Sequence, residues 1–209
     1  MCPLDVRCAA LARASASSAR VGSVAASSKA DLRHVALLRG VNVGRAKRVA
    51  MAEWRAQLQA LGCTGVRTVL NSGNAVFDSA AKLSTTQHAE RIRAALLADF
   101  QLDVAVVVKT ARQWQAIAAS HGLSAAANDP ARLLVLLAAD ASTLQGVDAL
   151  QAKVVPPDEL QRGCEAAYLW CQQGILQSPA ALALGGAVGR GITSRNWATV
   201  QRIQAALAA

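Results

Sequence analysis

Apolar positions recur along the chain in two periods, and these periods predict where strands and helices lie. Residues 34–38 form a short apolar run just before a glycine, which is typical of a buried strand. Apolar residues then recur at helical spacing over 51–61, with Gly62 as the stop signal. Two extended segments within 66–77 flank a dense set of turn formers, so we expect a β-hairpin there.

A further helix and strand follow the hairpin. Ser84 and Gln87 have the spacing of a capping box and precede an amphipathic helical pattern. Residues 104–108 are a continuous apolar run and predict a strand. The resulting order, β-α-β-β-α-β, is that of a ferredoxin-like unit. With a connecting helix announced by Thr110, we expect this first unit to occupy residues 33–122.

The second half of the chain repeats this order of elements. The patterns predict, in turn, a strand at 133–137, a helix over 144–150, a hairpin within 158–171, a helix opened by Ser178 and Pro179, and a last helix capped near Thr193 or Ser194. The predicted fold is therefore α+β, with two ferredoxin-like (βαββαβ-type) units in tandem. We expect the second unit, including a C-terminal helix, over 123–209.

The first 32 residues differ in composition from the rest. They are dominated by Ala, Ser and Arg, and Arg7 and Arg13 interrupt the one apolar stretch that a secretory signal would need. Such a segment buries too little apolar surface to offset its ordering entropy, so we expect residues 1–32 to be a disordered tail. A mis-assigned start codon or an organellar targeting segment would give a similar composition, and both alternatives stay open.

Positive charge is concentrated in one part of the sequence. The whole chain carries a formal net charge of +9. Between positions 39 and 67, Glu53 is the only acid and is opposed by the cations Arg39, Arg45, Lys47, Arg48, Arg55 and Arg67. An electropositive surface of this kind suits an anionic partner. Aromatic residues make up 3% of the chain, which is too few for the base-stacking platforms of RNA-binding ferredoxin-like units.

Composition argues against several classes of protein. The longest stretch without a charge, 166–189, contains glutamines, glycines and Pro179, each costly in hydrocarbon, so we expect no membrane span. Three histidines and five cysteines are scattered without metal-ligand spacing, so we expect no metal and no cofactor. Reduced cysteines are the natural expectation, and with them a soluble, cytoplasmic protein.

Three segments of the sequence resemble a known family. They are 34–44, followed by Lys47 and Met51, then 66–78, and finally 193–199. In these segments the chain is similar to the bacterial domain-of-unknown-function family 1697, and the similarity is collinear from His34 almost to the C-terminus. The resemblance implies an α+β fold, and it implies no activity or substrate.

Eight polar residues in predicted turns are the candidate ligand-binding residues. They lie beside glycines that let backbone approach a ligand: Arg39, Asn42, Lys47, Asn71, Ser72, Asn74, Arg195 and Asn196. For the 71–74 segment two interpretations stay open, because Asn, Ser and Gly serve a hairpin turn as well as they serve a ligand. Arg195 and the first amides of the last helix would attract an anion.

The leading hypothesis is a protein that binds an anionic ligand at an electropositive surface formed by these turns. The ligand would be a nucleotide, a phosphorylated metabolite or nucleic acid. An enzyme acting on a phosphorylated or nucleotide-like substrate is an alternative, although no catalytic constellation is recognisable, since Ser72 has no evident neighbouring base. A structural or interaction protein without a small-molecule site is the other alternative.

Overall fold

Two four-stranded antiparallel sheets organise the described part of the chain. The structure is a computed structural model, and it describes residues 32–43, 48–120, 122–123 and 129–209. Six α-helices accompany the sheets within these ranges. The predicted α+β class is confirmed, whereas the predicted tail and Lys47 lie outside the described residues.

The first sheet has the strand order β2-β3-β1-β4. Its elements, in chain order, are β1 (Arg33–Leu38), α1 (Met51–Ala60), β2 (Thr64–Val69), β3 (Asn74–Asp78), α2 (Thr85–Phe100) and β4 (Val106–Thr110), followed directly by α3 (Ala111–Ala119). The predicted capping box of Ser84 and Gln87 opens α2, and Thr110 and Gln113 form another at the start of α3.

The second sheet repeats this arrangement with the strand order β6-β7-β5-β8. Its elements are β5 (Leu133–Ala138), α4 (Ala141–Gln145), the 3-10 helix Gly146–Lys153, β6 (Glu159–Arg162), β7 (Ala167–Trp170), the short 3-10 helix Ile175–Gln177, α5 (Pro179–Ala183), β8 (Ile192–Asn196) and α6 (Trp197–Ala208). The helix predicted over 144–150 is thus mostly 3-10.

One strand differs from the prediction. Ile192–Asn196, which the sequence predicts as the approach to a helix, forms β8 and pairs with β5. The cap of α6 is Asn196 rather than Thr193 or Ser194, because its side chain accepts the N–H of Thr199 at 3.0 Å. Four of the five strand residues are polar, so no apolar run marks the strand in the sequence.

Three cores hold the layers together. The outer face of each sheet packs against its own helices, with Trp54, Leu58 and Leu96 central to the first outer core. The inner faces of both sheets share a third core with α3 and α6, which includes Val35 of β1 and Val135 of β5. The two sheets are therefore joined by buried apolar side chains that neither could cover alone.

Two further sequence expectations concern cysteines and membranes. Cys63 and Cys171 are buried free thiols, but Cys164 is disulfide-bonded, so the expectation that every cysteine is reduced is wrong for Cys164. Within the described ranges, no helix combines the length and the apolar character that crossing a membrane requires.

The β2–β3 hairpin leaves no space for a side chain at Gly73. This glycine has φ +73°, and its carbonyl accepts the N–H of Leu38 at 2.9 Å. A Cβ at this position would lie 2.6 Å from Cγ2 of Val41 and 2.7 Å from Cβ of Leu38. Because both neighbours are buried, the turn is pressed against the end of β1.

We expect Gly73→Ala to lower the free energy of unfolding by about 3 kcal/mol, since left-handed strain and overpacking add. Gly40→Ala is the matched control, because Gly40 has φ +64° but nothing within 4 Å of its added Cβ. That variant should lose only about 1 kcal/mol. Urea unfolding measures both, and equal losses would contradict the packing argument.

Two buried histidines face each other beneath the first sheet. The ring centroids of His34 and His88 lie 4.9 Å apart, and His34 stacks on Phe77 at 5.4 Å. Nδ1 of His34 donates to the carbonyl of Leu32 at 2.8 Å, while Nε2 of His88 is buried without a hydrogen-bond partner in the described chain. Burial lowers the pKa of both imidazoles, and the neighbouring His34 lowers the pKa of His88 further.

We expect the free energy of unfolding to fall as the pH drops below about 6.5, the pKa of an unfolded histidine. Below this pH the two histidines bind protons in the unfolded chain, while in the folded chain their lower pKa values keep them neutral. Acid therefore favours unfolding until the pH falls below the folded pKa values as well. Well above pH 6.5 both histidines are neutral in either state, and the free energy of unfolding no longer depends on their protonation. His88→Leu should flatten this slope in thermal melts between about pH 5 and 7, and an unchanged slope would contradict the assignment.

Candidate functional site

Each of the two sheets carries one buried cation. Lys109 of β4 lies opposite Val35 of β1, and Arg195 of β8 lies opposite Val135 of β5. The two cations therefore occupy equivalent positions in the two sheets. Directly paired residues share a face of the sheet, so both cations point toward the core between the sheets.

Lys109 is neutralised by a carboxylate between two strands of the second sheet. Its Nζ lies 3.1 Å from Oε2 of Glu165, which belongs to the turn between β6 and β7. Gln113 donates to the same carboxylate oxygen at 3.2 Å. The lysine is 3% exposed, and an ammonium so deeply buried requires a partner of this kind.

Arg195 is held in the equivalent way by the β2–β3 turn, but by neutral groups. Nε donates to Oδ1 of Asn74, and Nη2 donates to the carbonyls of Leu38 at 2.8 Å and Ser72 at 3.1 Å. Nη1 donates to Oγ1 of Thr193 at 2.9 Å and to the carbonyl of Ser194 at 2.7 Å. All five guanidinium N–H groups are thereby used.

The charge of Arg195 has no carboxylate partner within the described residues. The side chain is almost completely buried, and desolvation lowers its pKa to about 10. It therefore remains a cation at neutral pH. Neutral acceptors satisfy its hydrogen bonds but leave its positive charge uncompensated.

A cleft of about 530 Å³ opens beside Arg195, between the two sheets. Its polar lining residues include Arg39, Ser72, Ser194, Asn196 and Thr199. Ile175, Ala181 and Leu184 also line the cleft and are called its aliphatic wall. Among the described lining residues, arginines are the only charged ones.

Arg39 is the cation that the cleft exposes. It follows β1 and is only partly buried. Its Nη2 donates a hydrogen bond to the carbonyl of Leu184 at 3.1 Å. It forms no other hydrogen bond within the described ranges, so the remaining N–H groups are available. Arg39 thus bridges the first unit to the aliphatic wall while keeping donors for a ligand.

The remaining predicted residues serve the turns that build the cleft. Asn42, at φ 57°, donates to the carbonyls of Val49 and Asn71 and accepts the N–H of Val49. Asn74 donates to the carbonyl of Val69 at 2.9 Å and to Oγ of Ser72 at 3.0 Å. These contacts match the turn interpretation of residues 71–74, with Asn71 itself exposed.

Asn196 combines a structural role with a free donor. Its Oδ1 accepts from the N–H of Thr199 at 3.0 Å and from Oγ1 of Thr199 at 2.7 Å. Its Nδ2 has no hydrogen-bond partner in the described part of the chain. Because Asn196 lines the cleft, this amide can donate to a ligand there.

The structure brings five of the eight predicted residues into direct contact with the cleft or with Arg195: Arg39, Ser72, Asn74, Arg195 itself and Asn196. Asn42 and Asn71 lie behind this set, joined by a hydrogen bond of 2.7 Å. Lys47 is outside the described residues. No cluster of metal ligands occurs in the described ranges.

Sequence reasoning missed Lys109, Glu165 and the aliphatic wall. Lys109 follows an apolar run directly, but its partner is 56 positions further along the chain. Ile175 and Leu184 have the spacing of ordinary core residues. The one available signal was a charged residue at the end of an apolar strand, which rarely stands in a core without a partner.

Comparisons with known proteins locate the chain in a family. A family model described as "Protein of unknown function (DUF1697)" matches residues 32–168. The chain is also similar to the structure of the conserved bacterial protein SP0830 from Streptococcus pneumoniae, at 23% identity and a TM-score of 0.70. That similarity covers 84% of this chain and 98% of the other, and it shows the fold. No curated protein matches the sequence.

We expect Arg195→Met to lower the free energy of unfolding by about 3 kcal/mol or more, because it strands several buried acceptors at once. Arg162→Met is the control: Arg162 pairs with Asp148, and both side chains are about half exposed. That change should cost about 1 kcal/mol or less. Urea unfolding compares the two variants, and equal costs would contradict the structural role of the hydrogen bonds of Arg195.

Proposed function

We propose that this chain, which belongs to the DUF1697 family of proteins of unknown function, binds an anion in the cleft beside Arg195. The observation that carries the proposal is the difference between the two buried cations. Glu165 neutralises Lys109, whereas Arg195 at the equivalent position has only neutral acceptors within the described residues. An anion in the cleft would supply the missing charge.

Arg195 acts through its field and does not bind the ligand itself. Its five N–H groups are occupied, so the direct donors are the free N–H groups of Arg39, the hydroxyls of Ser72 and Ser194, and Nδ2 of Asn196. A buried charge acts over a longer range than an exposed one, because little water screens it. The proposed site thus has one contacting arginine and one supporting arginine.

The lining supports binding more than turnover. Arginine is its only titratable residue type in the described ranges, and a guanidinium does not act as a general base near neutral pH. A surface for long nucleic acids is also less favoured, because such binding uses many exposed cations rather than one cleft. A phosphorylated or carboxylated small molecule fits these donors best.

We further propose that the cleft arises from the tandem arrangement of two ferredoxin-like units, 33–122 and 123–209. The repeated sheet orders and the equivalent positions of Lys109 and Arg195 support this division. In each unit the last strand carries a cation toward the other unit's hairpin. Glu165 already neutralises Lys109. Arg195, which has only neutral acceptors within the described residues, is therefore the cation that an external anion would neutralise.

We expect inorganic phosphate or pyrophosphate to raise the Tm of the full chain, and Arg39→Met to weaken pyrophosphate binding about tenfold or more. The reason is the loss of a charge-assisted hydrogen bond to the anion. Isothermal titration calorimetry measures the affinity of both proteins, and the thermal shift follows from ligand binding to the native state alone.

Arg93→Met is the matched control for net charge. Arg93 pairs with Asp103 at the surface of the first unit, away from the cleft, and its removal changes the net charge by the same amount. Equal weakening by both variants would reduce the effect to overall charge and contradict the site. Steeply salt-dependent binding of DNA or RNA that Arg39→Met leaves unchanged would favour a surface polyanion instead.

A further inference from the structure

We infer that the ligand of the cleft is an amphiphilic anion, with its charged group at Arg39 and an aliphatic body along the aliphatic wall. This inference rests on the proposed anion site and names the class of ligand. The aliphatic lining residues include Ile175, Ala181 and Leu184, and Val43 on the loop after β1. None of these side chains offers a hydrogen bond.

Exposed aliphatic side chains occur in the segments that line this cleft. The described residues include six large hydrophobic side chains that are well exposed, and three of them are Val43 at 72%, Leu176 at 78% and Leu182 at 60%. Val43 lines the cleft, and the other two belong to the short 3-10 helix and to α5, which supply its aliphatic wall. A pocket lined by apolar side chains and a few polar donors is typical of a small-molecule site.

The size of the cleft favours a ligand larger than a single phosphate or carboxylate group. A volume of about 530 Å³ lies within the range of small-molecule pockets. A single phosphate or carboxylate group beside Arg39 would leave most of that space, and the aliphatic wall, in contact with water. An aliphatic chain extending from the anion would cover the wall and gain its transfer free energy.

The lining disfavours a nucleotide. Proteins commonly hold a nucleobase by stacking it on an aromatic ring or on a guanidinium plane. The described lining residues include no aromatic side chain, Arg195 is buried in its own hydrogen bonds, and Arg39 is needed for the anion. Among the ligand types that suit the charge, an aliphatic acid or a phosphate monoester of an aliphatic alcohol also contacts the aliphatic wall.

A chain-length series tests the inference on the full chain. The probes are linear alkyl phosphates and alkanoates of increasing length, titrated by calorimetry below their critical micelle concentrations. We expect the affinity to rise about threefold to fourfold per added methylene until the wall is covered. The heat capacity change of binding should become more negative along the series.

Two variants test the binding of the charged group and of the aliphatic chain separately. Arg39→Met should lower the affinity of every probe by a similar factor and leave the increase per methylene unchanged. Val43→Ser should reduce the increase per methylene and leave inorganic phosphate binding unchanged. Leu97→Ser on α2 is the matched control, because Leu97 is 47% exposed and lies outside the cleft.

The outcomes distinguish this inference from the proposed function. Anions that bind with the same affinity at every chain length would overturn the inference while leaving the anion site intact. If no anion binds and Arg39→Met changes nothing, both ideas fail. Sedimentation with phosphatidylglycerol vesicles, without saturable binding of monomeric alkyl phosphates, would also overturn the cleft as the site.

Discussion

The hydrogen-bonded clasp between Arg195 and the β2–β3 turn is the interaction on which the site depends. The guanidinium joins strand β8, the end of β1 at Leu38 and the turn at Ser72 and Asn74 in one network. Each of these segments also forms part of the cleft, so the same contacts that join the sheets fix the shape of the site. A buried network of this kind is stable only when every member is satisfied, and Arg195 uses all of its donors.

The apolar core between the sheets offsets the free-energy cost of burying the cation in this clasp. Trp114, Trp197 and the inner faces of β1 and β5 exclude water from the region around both cations. Low polarity strengthens each hydrogen bond to Arg195 and raises the cost of leaving one unmade. Two charged side chains that would contribute little at the surface therefore join the two sheets in this core.

Local signals in the sequence predicted most of the fold. The capping boxes at Ser84 and Thr110 and the hairpin turn at 71–74 depend on neighbours a few residues away, and the structure contains all of them. Strand β8 was missed because its pairing with β5 is a distant contact and its polar residues break the apolar pattern. Arg195 was identified as a candidate, but its acceptors on Leu38 and Asn74 lie more than a hundred positions away. The partner of Lys109 is 56 positions away, so local patterns do not show the contrast between the two cations.

The contrast between the two clasps argues that the open charge at Arg195 is kept for a reason other than stability. Lys109 shows that this architecture can accommodate a carboxylate opposite a buried cation, since Glu165 stands in the hairpin of the second unit. The equivalent hairpin of the first unit presents Ser72 and Asn74 instead. A carboxylate there would neutralise Arg195, but it would also repel any anion from the cleft. Neutral acceptors keep the guanidinium in place and leave its charge without a carboxylate partner, and this is the arrangement that the proposed anion site requires.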